Sequence, residues 1–444
     1  MMSHRQQQQQ QQQQEGQDVK EEQQPPNTTA LSCHAIPFTL PSRLFGNNNN
    51  NNKLLLLHCI DCHAAGEPAR VVLAGFPRLP ASAATAQDKR VYIRNHLDWI
   101  RQVLLQEPRG YPCQNVNFVF SNNEQDDDTL QFVIAEQGKI YPLMSGHNTI
   151  CVATALVECG IVKASSPTTS SSSSSQPYTE FTLYAPAGPI PIRASIDQNN
   201  NNNNIKVTSI TLTNAPSFVQ YMDITVNVPH IGKVVVDIAY GGMWYCVVRV
   251  DQFAITSSSS NDSKLHVLTQ LDNPQQGREF CRLGEMIKQA CREQYPVQHP
   301  TLDYPGVDIL VFCGTPVRTA DTVVEARNVV IMSNHAHFNW KDESTWTAMI
   351  DRSPCGTGTC AVMAVLHARG LLRAGKDTLV HTSIVGSKFT GRIVDTTTLL
   401  DSNNQQRTAI VPEIAGSAYI TQYSQVVVDP DDPFPHGFRV GDIW

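Results

Sequence analysis

The chain has 444 residues, enough for two or three domains, and its 41% hydrophobic content is enough for real cores. The net charge is −7, with 33 basic and 40 acidic residues and no basic block, which argues against nucleic acid as a partner. The apolar run at residues 54–57 is far too short to span a bilayer, and the polar, Gln-rich start lacks the apolar region of a secretory signal.

Five homopolymer tracts, at residues 6–14, 47–52, 170–175, 199–204 and 257–260, bury too little apolar surface to offset chain entropy. The first is assigned to a disordered Gln- and Asn-rich tail, set at residues 1–52, and the others to loop insertions. The twelve cysteines are scattered, without the dense framework of a disulfide scaffold, so reduced thiols in a cytoplasmic protein are expected. Cys59 and Cys62 form a Cys-x-x-Cys flanked by His58 and His63, but no second ligand pair follows at short spacing. Period-2 alternation puts His58, Ile60 and Cys62 on one face of a strand and Cys59, Asp61 and His63 on the other, so no metal is expected.

In chain order, short apolar runs at 53–60 and 70–73 are followed by strands at 116–120, 131–135, 181–184 and 205–212. Strands at 234–240 and 243–250 flank Gly241-Gly242, a hairpin signal, and 308–313 and 329–332 continue the pattern. Two segments break it. Residues 149–159 carry Ile150, Ala153 and Val157 at helical spacing, with Gly160 as the cap; residues 359–369 carry Val362, Val365 and Leu366, with Gly370 in the same role.

The two helices share a preface, Met144-Ser145-Gly146-His147-Asn148-Thr149 and Pro354-Cys355-Gly356-Thr357-Gly358-Thr359. Each half also has an upstream Gly-bearing strand turn, at Ala65-Gly66-Glu67-Pro68 and at Tyr240-Gly241-Gly242-Met243. This pattern predicts two similar lobes, each with a reactive residue at a helix N-terminus. Free N–H groups and the positive end of the dipole would lower the pKa of a Cys placed there. They would also bind a carboxylate without Arg or Lys. Taken singly, a Ser at a helix start reads as an N-cap and a Cys as a small buried hydrophobe. The packed turn formers of 351–359 are harder to read that way, and no Lys follows as it would in a P-loop.

The segment 351–359 resembles a signature of the proline racemase superfamily. That superfamily comprises proline racemases, 4-hydroxyproline 2-epimerases and trans-3-hydroxy-L-proline dehydratases. His63-Ala64-Ala65-Gly66-Glu67-Pro68 is similar to its opening strand and turn, and Met144–Asn148 to its Met-Cys-Gly-His-Asn motif. Further matches follow in order at 186–188, 214–219, 237–242, 414–418, 429–430 and 437–438, so the resemblance covers roughly residues 53–444.

The resemblance implies an α/β (α+β) fold of two similar lobes like that of diaminopimelate epimerase, with the active site in the cleft between them. The lobes are set at 53–220, with a C-terminal return at 420–444, and at 221–419. It implies a cofactor-independent enzyme with Ser145 and Cys355 as the acid/base pair. Gly146, His147, Gly356 and Thr357 would hold the substrate carboxylate, and Asp351 would meet the ring nitrogen. The expected partner is a small amino acid, with no nucleic acid, no membrane, and a homodimer as an option.

The family's racemases carry Cys at both catalytic positions, and here the first is Ser145. An alcohol is a far weaker acid than a thiol and needs an adjacent base to activate it; none is evident in the sequence, though His147 is close along the chain. Eliminating an α-proton and a β-hydroxyl needs only one strong base plus help for the leaving group. The expected reaction is therefore dehydration of trans-3-hydroxy-L-proline, with 4-hydroxyproline epimerisation or proline racemisation as the alternative. A catalytically silent binding protein is the third reading. Dehydratases of this family keep Cys first and Thr second, the reverse order. Met243 stands where racemase-like members carry Asn.

Overall fold

The structure is a computed structural model that describes residues 55–123, 126–163, 177–197, 205–254, 265–301, 304–333, 337–400 and 406–441. The tail at 1–52 and the five homopolymer tracts lie outside the described residues.

The first half holds β1 (Leu55–Ala64), β2 (Glu67–Ala74), α1 (Ala86–His96), α2 (Asp98–Leu105), β3 (Asn115–Asn123), β4 (Asp126–Ala135), α3 (Gly146–Glu158), β5 (Tyr178–Ala185), β6 (Gly188–Asp197) and β7 (Lys206–Thr213). The second begins with β8 (Phe218–Val228), β9 (Gly232–Tyr240), β10 (Trp244–Arg249), α4 (Gly277–Gln294), β11 (Ile309–Cys313), β12 (Val317–Ala320), β13 (Val323–Ser333) and β14 (Ala348–Asp351). It ends with α5 (Gly356–Ala368), β15 (Thr378–Thr382), β16 (Lys388–Leu400), β17 (Gln406–Gly416) and β18 (Ala418–Val428).

The two halves repeat one pairing scheme. In the first, β1–β2 is antiparallel, β2–β3 parallel, β3–β4 antiparallel, β4–β5 parallel, and β5–β6–β7 antiparallel. In the second, β9–β10, β10–β11, β11–β13, β13–β15 and β15–β16–β17 repeat that order of directions. Each half carries one further antiparallel strand: β18 returns from the far end of the chain onto β1, and β8 pairs as a hairpin with the β9 that follows it. An antiparallel pairing of β7 with β17 ties the halves together.

Each wrapped sheet encloses one helix. Every residue of α3 from Gly146 to Val157 is buried, and so is every residue of α5 from Gly356 to Leu366. A helix apolar on all sides must be covered on all sides. On β1 the alternation places Ile60, Cys62 and Ala64 in the core around α3, while Leu57 and Cys59 pack with Ile93, Ile100 and Leu104 of α1 and α2. Cys59 and Cys62 thus point to opposite faces of the strand. Gly160 and Gly370 stand just past the two enclosed helices at φ +71 in both cases. In both, the next residue closes the helix with an N–H bond to the carbonyl five residues back, Ile161 to Leu156 and Leu371 to Leu366. Gly241-Gly242 joins β9 to β10 in the expected hairpin. Each helix starts three residues before its predicted start, because the shared preface forms the first turn.

Helices α1, α2 and α4 were not anticipated, although in α4 Phe280, Leu283, Ile287 and Cys291 line the buried side at helical spacing. Among the described residues, no helix is long and apolar enough to cross a membrane.

Candidate active site

Ser145 and Cys355 occupy the N-cap positions of α3 and α5, and neither helix receives a side-chain cap. The first backbone N–H groups, on Gly146 and His147 and on Gly356 and Thr357, are therefore not taken up by a capping side chain. The helix ends abut. A Cβ on Gly146 would stand 2.7 Å from Gly356 Cα, and one on Gly356 equally close to Gly146 Cα. The residues on either side of this contact are the two predicted acid/base groups.

The local wiring repeats. The Ser145 carbonyl accepts from the Thr149 N–H at 3.0 Å and its hydroxyl at 2.7 Å. The Cys355 carbonyl accepts from Thr359 in the same way, at 2.9 and 2.7 Å. Cys355 has φ +61, a left-handed conformation that costs a non-glycine residue about 1–2 kcal/mol. Ser353 Oγ helps to hold it by accepting the Cys355 N–H at 3.0 Å, and Asp351 Oδ1 holds Ser353 by accepting its N–H and its hydroxyl, each at 2.8 Å.

The side-chain atoms of Ser145 and Cys355 differ in their company. Ser145 Oγ lies 3.2 Å from His147 Nδ1 and accepts from Asn148 Nδ2 at 3.1 Å. Asn115 Nδ2 stands 3.0 Å from His147 Nε2. With Asn115 donating there, the neutral imidazole carries its proton on Nδ1 and donates to Ser145. Burial depresses the His147 pKa, which keeps the ring neutral. Ser145 thus sits among two N–H donors rather than beside a base. Donors of this kind stabilise a developing alkoxide and let the hydroxyl give up its proton.

Cys355 Sγ lies 3.3 Å from Tyr245 Oη and 3.7 Å from Thr357 Oγ1, and those two hydroxyls are 2.5 Å apart. Burial, followed by the Asp351 carboxylate, pushes the thiol well up, against the opposing pull of Tyr245, the Gly358 N–H and Thr357. The lowered pKa expected from the helix terminus is therefore overridden, because desolvation of a thiolate outweighs a partial dipole charge. Asp351 is buried, and its charge acts on Cys355, Tyr245, Glu67 and His147, groups drawn from both halves.

The sequence reading missed several residues. Glu67, fully buried on β2, accepts the Arg352 N–H at 2.7 Å and so ties the first half's opening turn to the loop leading to Cys355. Burial and then Asp351 push its carboxyl well above the usual range. Glu67 and Asn148 lay within motifs already singled out. Tyr245 had only its place after the Gly241-Gly242 turn, and Asn115 had no local signal. Met243 packs partly buried against the core shared by α3 and α5. Gly241 is required because a Cβ there would meet the Thr357 carbonyl at 2.2 Å. Every cysteine among the described residues is a free thiol.

The family described as proline racemase matches residues 59–439. Proline racemase of Acetoanaerobium sticklandii is 31% identical over 386 residues, covering 86% of this chain and 98% of its own. Proline racemase A of Trypanosoma cruzi is 32% identical over 391 residues, covering 86% and 81%. A crystal structure of a hydroxyproline epimerase from Agrobacterium vitis, with bound trans-4-hydroxy-L-proline, superposes with TM-score 0.67 at 29% identity, covering 88% of this chain and 96% of that one.

Proposed function

The chain belongs to the proline racemase family, and on that footing we propose that it moves the α-proton of a proline-type amino acid, most directly as a 4-hydroxyproline epimerase or proline racemase. The observation that carries this reading is the abutting pair of helix N-termini, each presenting one acid/base side chain. Inversion at a carbon needs a base on one face and an acid on the other. Cys355 serves as the base, and Ser145, between its two N–H donors, returns a proton from the opposite face. The uncapped N–H groups of Gly146, His147, Gly356 and Thr357 suit the substrate carboxylate. Asp351 suits the ring ammonium. That ammonium would also relieve the charge that raises the Cys355 pKa, so substrate itself favours the thiolate.

This order reverses the sequence expectation, which put dehydration first. The named relatives are racemases and an epimerase. Dehydration of trans-3-hydroxy-L-proline stays as the second reading, favoured by the replacement of a thiol by the Ser145 hydroxyl, which weakens the return half of an epimerisation. The silent-member reading loses support, since both helix ends carry intact acid/base groups. Our division of the chain into 53–220 with 420–444, and 221–419, is supported by β18 pairing with β1 and β8 with β9. A reducing, cytoplasmic setting is supported by the free thiols.

The test is to give the purified protein L-proline, trans-4-hydroxy-L-proline and trans-3-hydroxy-L-proline in parallel. Optical rotation follows the first two, and trapping of the cyclic imine with an aminobenzaldehyde follows the third. Epimerisation of 4-hydroxyproline is the expected main activity. Imine formation without any inversion would put the second reading first.

A further inference from the structure

The thiol and the phenol that meet at Cys355 form a pair with a use of their own. Tyr245 is fully buried, on β10, 110 residues from its partner, and its hydroxyl reaches Cys355 Sγ at 3.3 Å. The contact is built in. A Cβ on Gly358 would stand 3.1 Å from Cys355 Cβ and 3.2 Å from Tyr245 Cε1, so glycine there leaves room for the two side chains to meet. Thr357 Oγ1, 2.5 Å from the phenol oxygen, fixes its orientation. Among the described residues no counterpart stands beside Ser145, whose polar partners there are His147 and Asn148.

We propose that Tyr245 is the acid that protonates a departing β-hydroxyl while Cys355 removes the α-proton from the same ring face. This deepens the dehydration reading of the site and rests on it. In trans-3-hydroxy-L-proline the α-hydrogen and the hydroxyl lie on one face, on adjacent carbons. A base atom and an O–H donor one hydrogen bond apart match that pair.

The step balances. The Cys355 thiolate takes the α-proton, and the C–H electron pair becomes the ring double bond. The C–O bond breaks, and its oxygen takes the Tyr245 proton to leave as water. The enamine then tautomerises to the cyclic imine. The Tyr245 phenolate recovers a proton from the neighbouring Cys355 thiol, which restores both groups. Nothing is oxidised or reduced. Burial keeps the phenol protonated until that moment, and hydroxide is a strong enough base to take its proton.

The test is Tyr245→Phe, which removes one oxygen atom and keeps the ring. Imine formation from trans-3-hydroxy-L-proline should fall by ~10²-fold or more, the usual loss for a general acid. Exchange of the α-hydrogen of trans-4-hydroxy-L-proline in deuterated water should fall far less, and it also reports that the variant is folded. The fluoro analogue, trans-3-fluoro-L-proline, loses fluoride without needing a proton. Its elimination by Tyr245→Phe should fall only as far as the α-hydrogen exchange does, because both share the lost Tyr245 contact with the thiol and neither needs a general acid. Equal losses in all three assays would make Tyr245 a positioning residue for the thiol and overturn the proposal. So would dehydration that survives the substitution. A parent enzyme that exchanges the α-hydrogen but forms no imine would remove the dehydration reading itself, and the proposal with it.

Discussion

Gly146 and Gly356 meet backbone to backbone across the two halves, with no room for a methyl group on either. Each directly follows one of the proposed acid/base residues, Ser145 and Cys355. The contact sets how closely the two helix N-termini approach, and hence the width of the slot between Ser145 and Cys355. Gly146→Ala should therefore force the helix ends apart. We expect a loss of about 1–3 kcal/mol in stability, typical of overpacking, and a fall in turnover much larger than that loss explains. Gly160→Ala is the control. It meets nothing within 4 Å but holds φ +71, so it should cost about 1 kcal/mol and leave activity intact. Thermal melts and turnover on the two variants decide the matter; equal effects on activity would refute the slot argument.

The two reactive groups should fail in different ways. Cys355→Ser should abolish exchange of the substrate α-hydrogen, since it removes the only thiol at the paired helix ends. Ser145→Ala should keep deuterium wash-in on the Cys355 face and lose inversion. Proton NMR in deuterated water, read beside optical rotation, separates these outcomes. Wild-type exchange in Cys355→Ser would transfer the role of base elsewhere.

Asp351 raises the pKa of the Cys355 thiol, so removing its charge should lower it. Asp351→Asn keeps an oxygen to accept from Ser353 and deletes the negative charge. Alkylation of Cys355 by iodoacetamide should then begin at lower pH than in the parent, although turnover falls because the substrate nitrogen has lost its partner. The measurement is alkylation rate against pH, with pyrrole-2-carboxylate as the protecting ligand. A shift to higher pH would contradict the assignment.

Glu67 offers a test in stability. Its folded pKa is raised above the unfolded value, so the unfolded state releases the proton first as pH rises. Its contribution is neutral in acid and becomes increasingly destabilising above the ordinary carboxylate pKa. Glu67→Gln keeps an oxygen for the Arg352 N–H and removes the ionisation. It should melt higher than the parent at pH 8, by on the order of 1 kcal/mol or more, and match it at pH 4. A variant less stable at pH 8 would mean that the carboxylate is ionised and paired in the fold.

Much of this protein was readable along the chain. Strands appeared as apolar runs, the enclosed helices as stretches closed by Gly160 and Gly370, and the reactive positions as two matching prefaces. These are local signals, since hydrophobic period, turn chemistry and glycine tolerance act over a few residues. Helix α4 was equally local and was overlooked. What the chain alone did not disclose lies between distant residues. Tyr245 reaches Cys355 across 110 positions, and Glu67 reaches Arg352 across 285. Ser145 was read as needing a base, and the fold surrounds it with donors from His147 and Asn148. The thiol was expected to be acidified by its helix, and burial reversed that. Depth of burial and the company of a side chain are properties of the closed sheets, which form only when β18 returns to β1 and β17 pairs with β7. Desolvation and charge act through space, so their balance at Cys355 was decided by the tertiary structure.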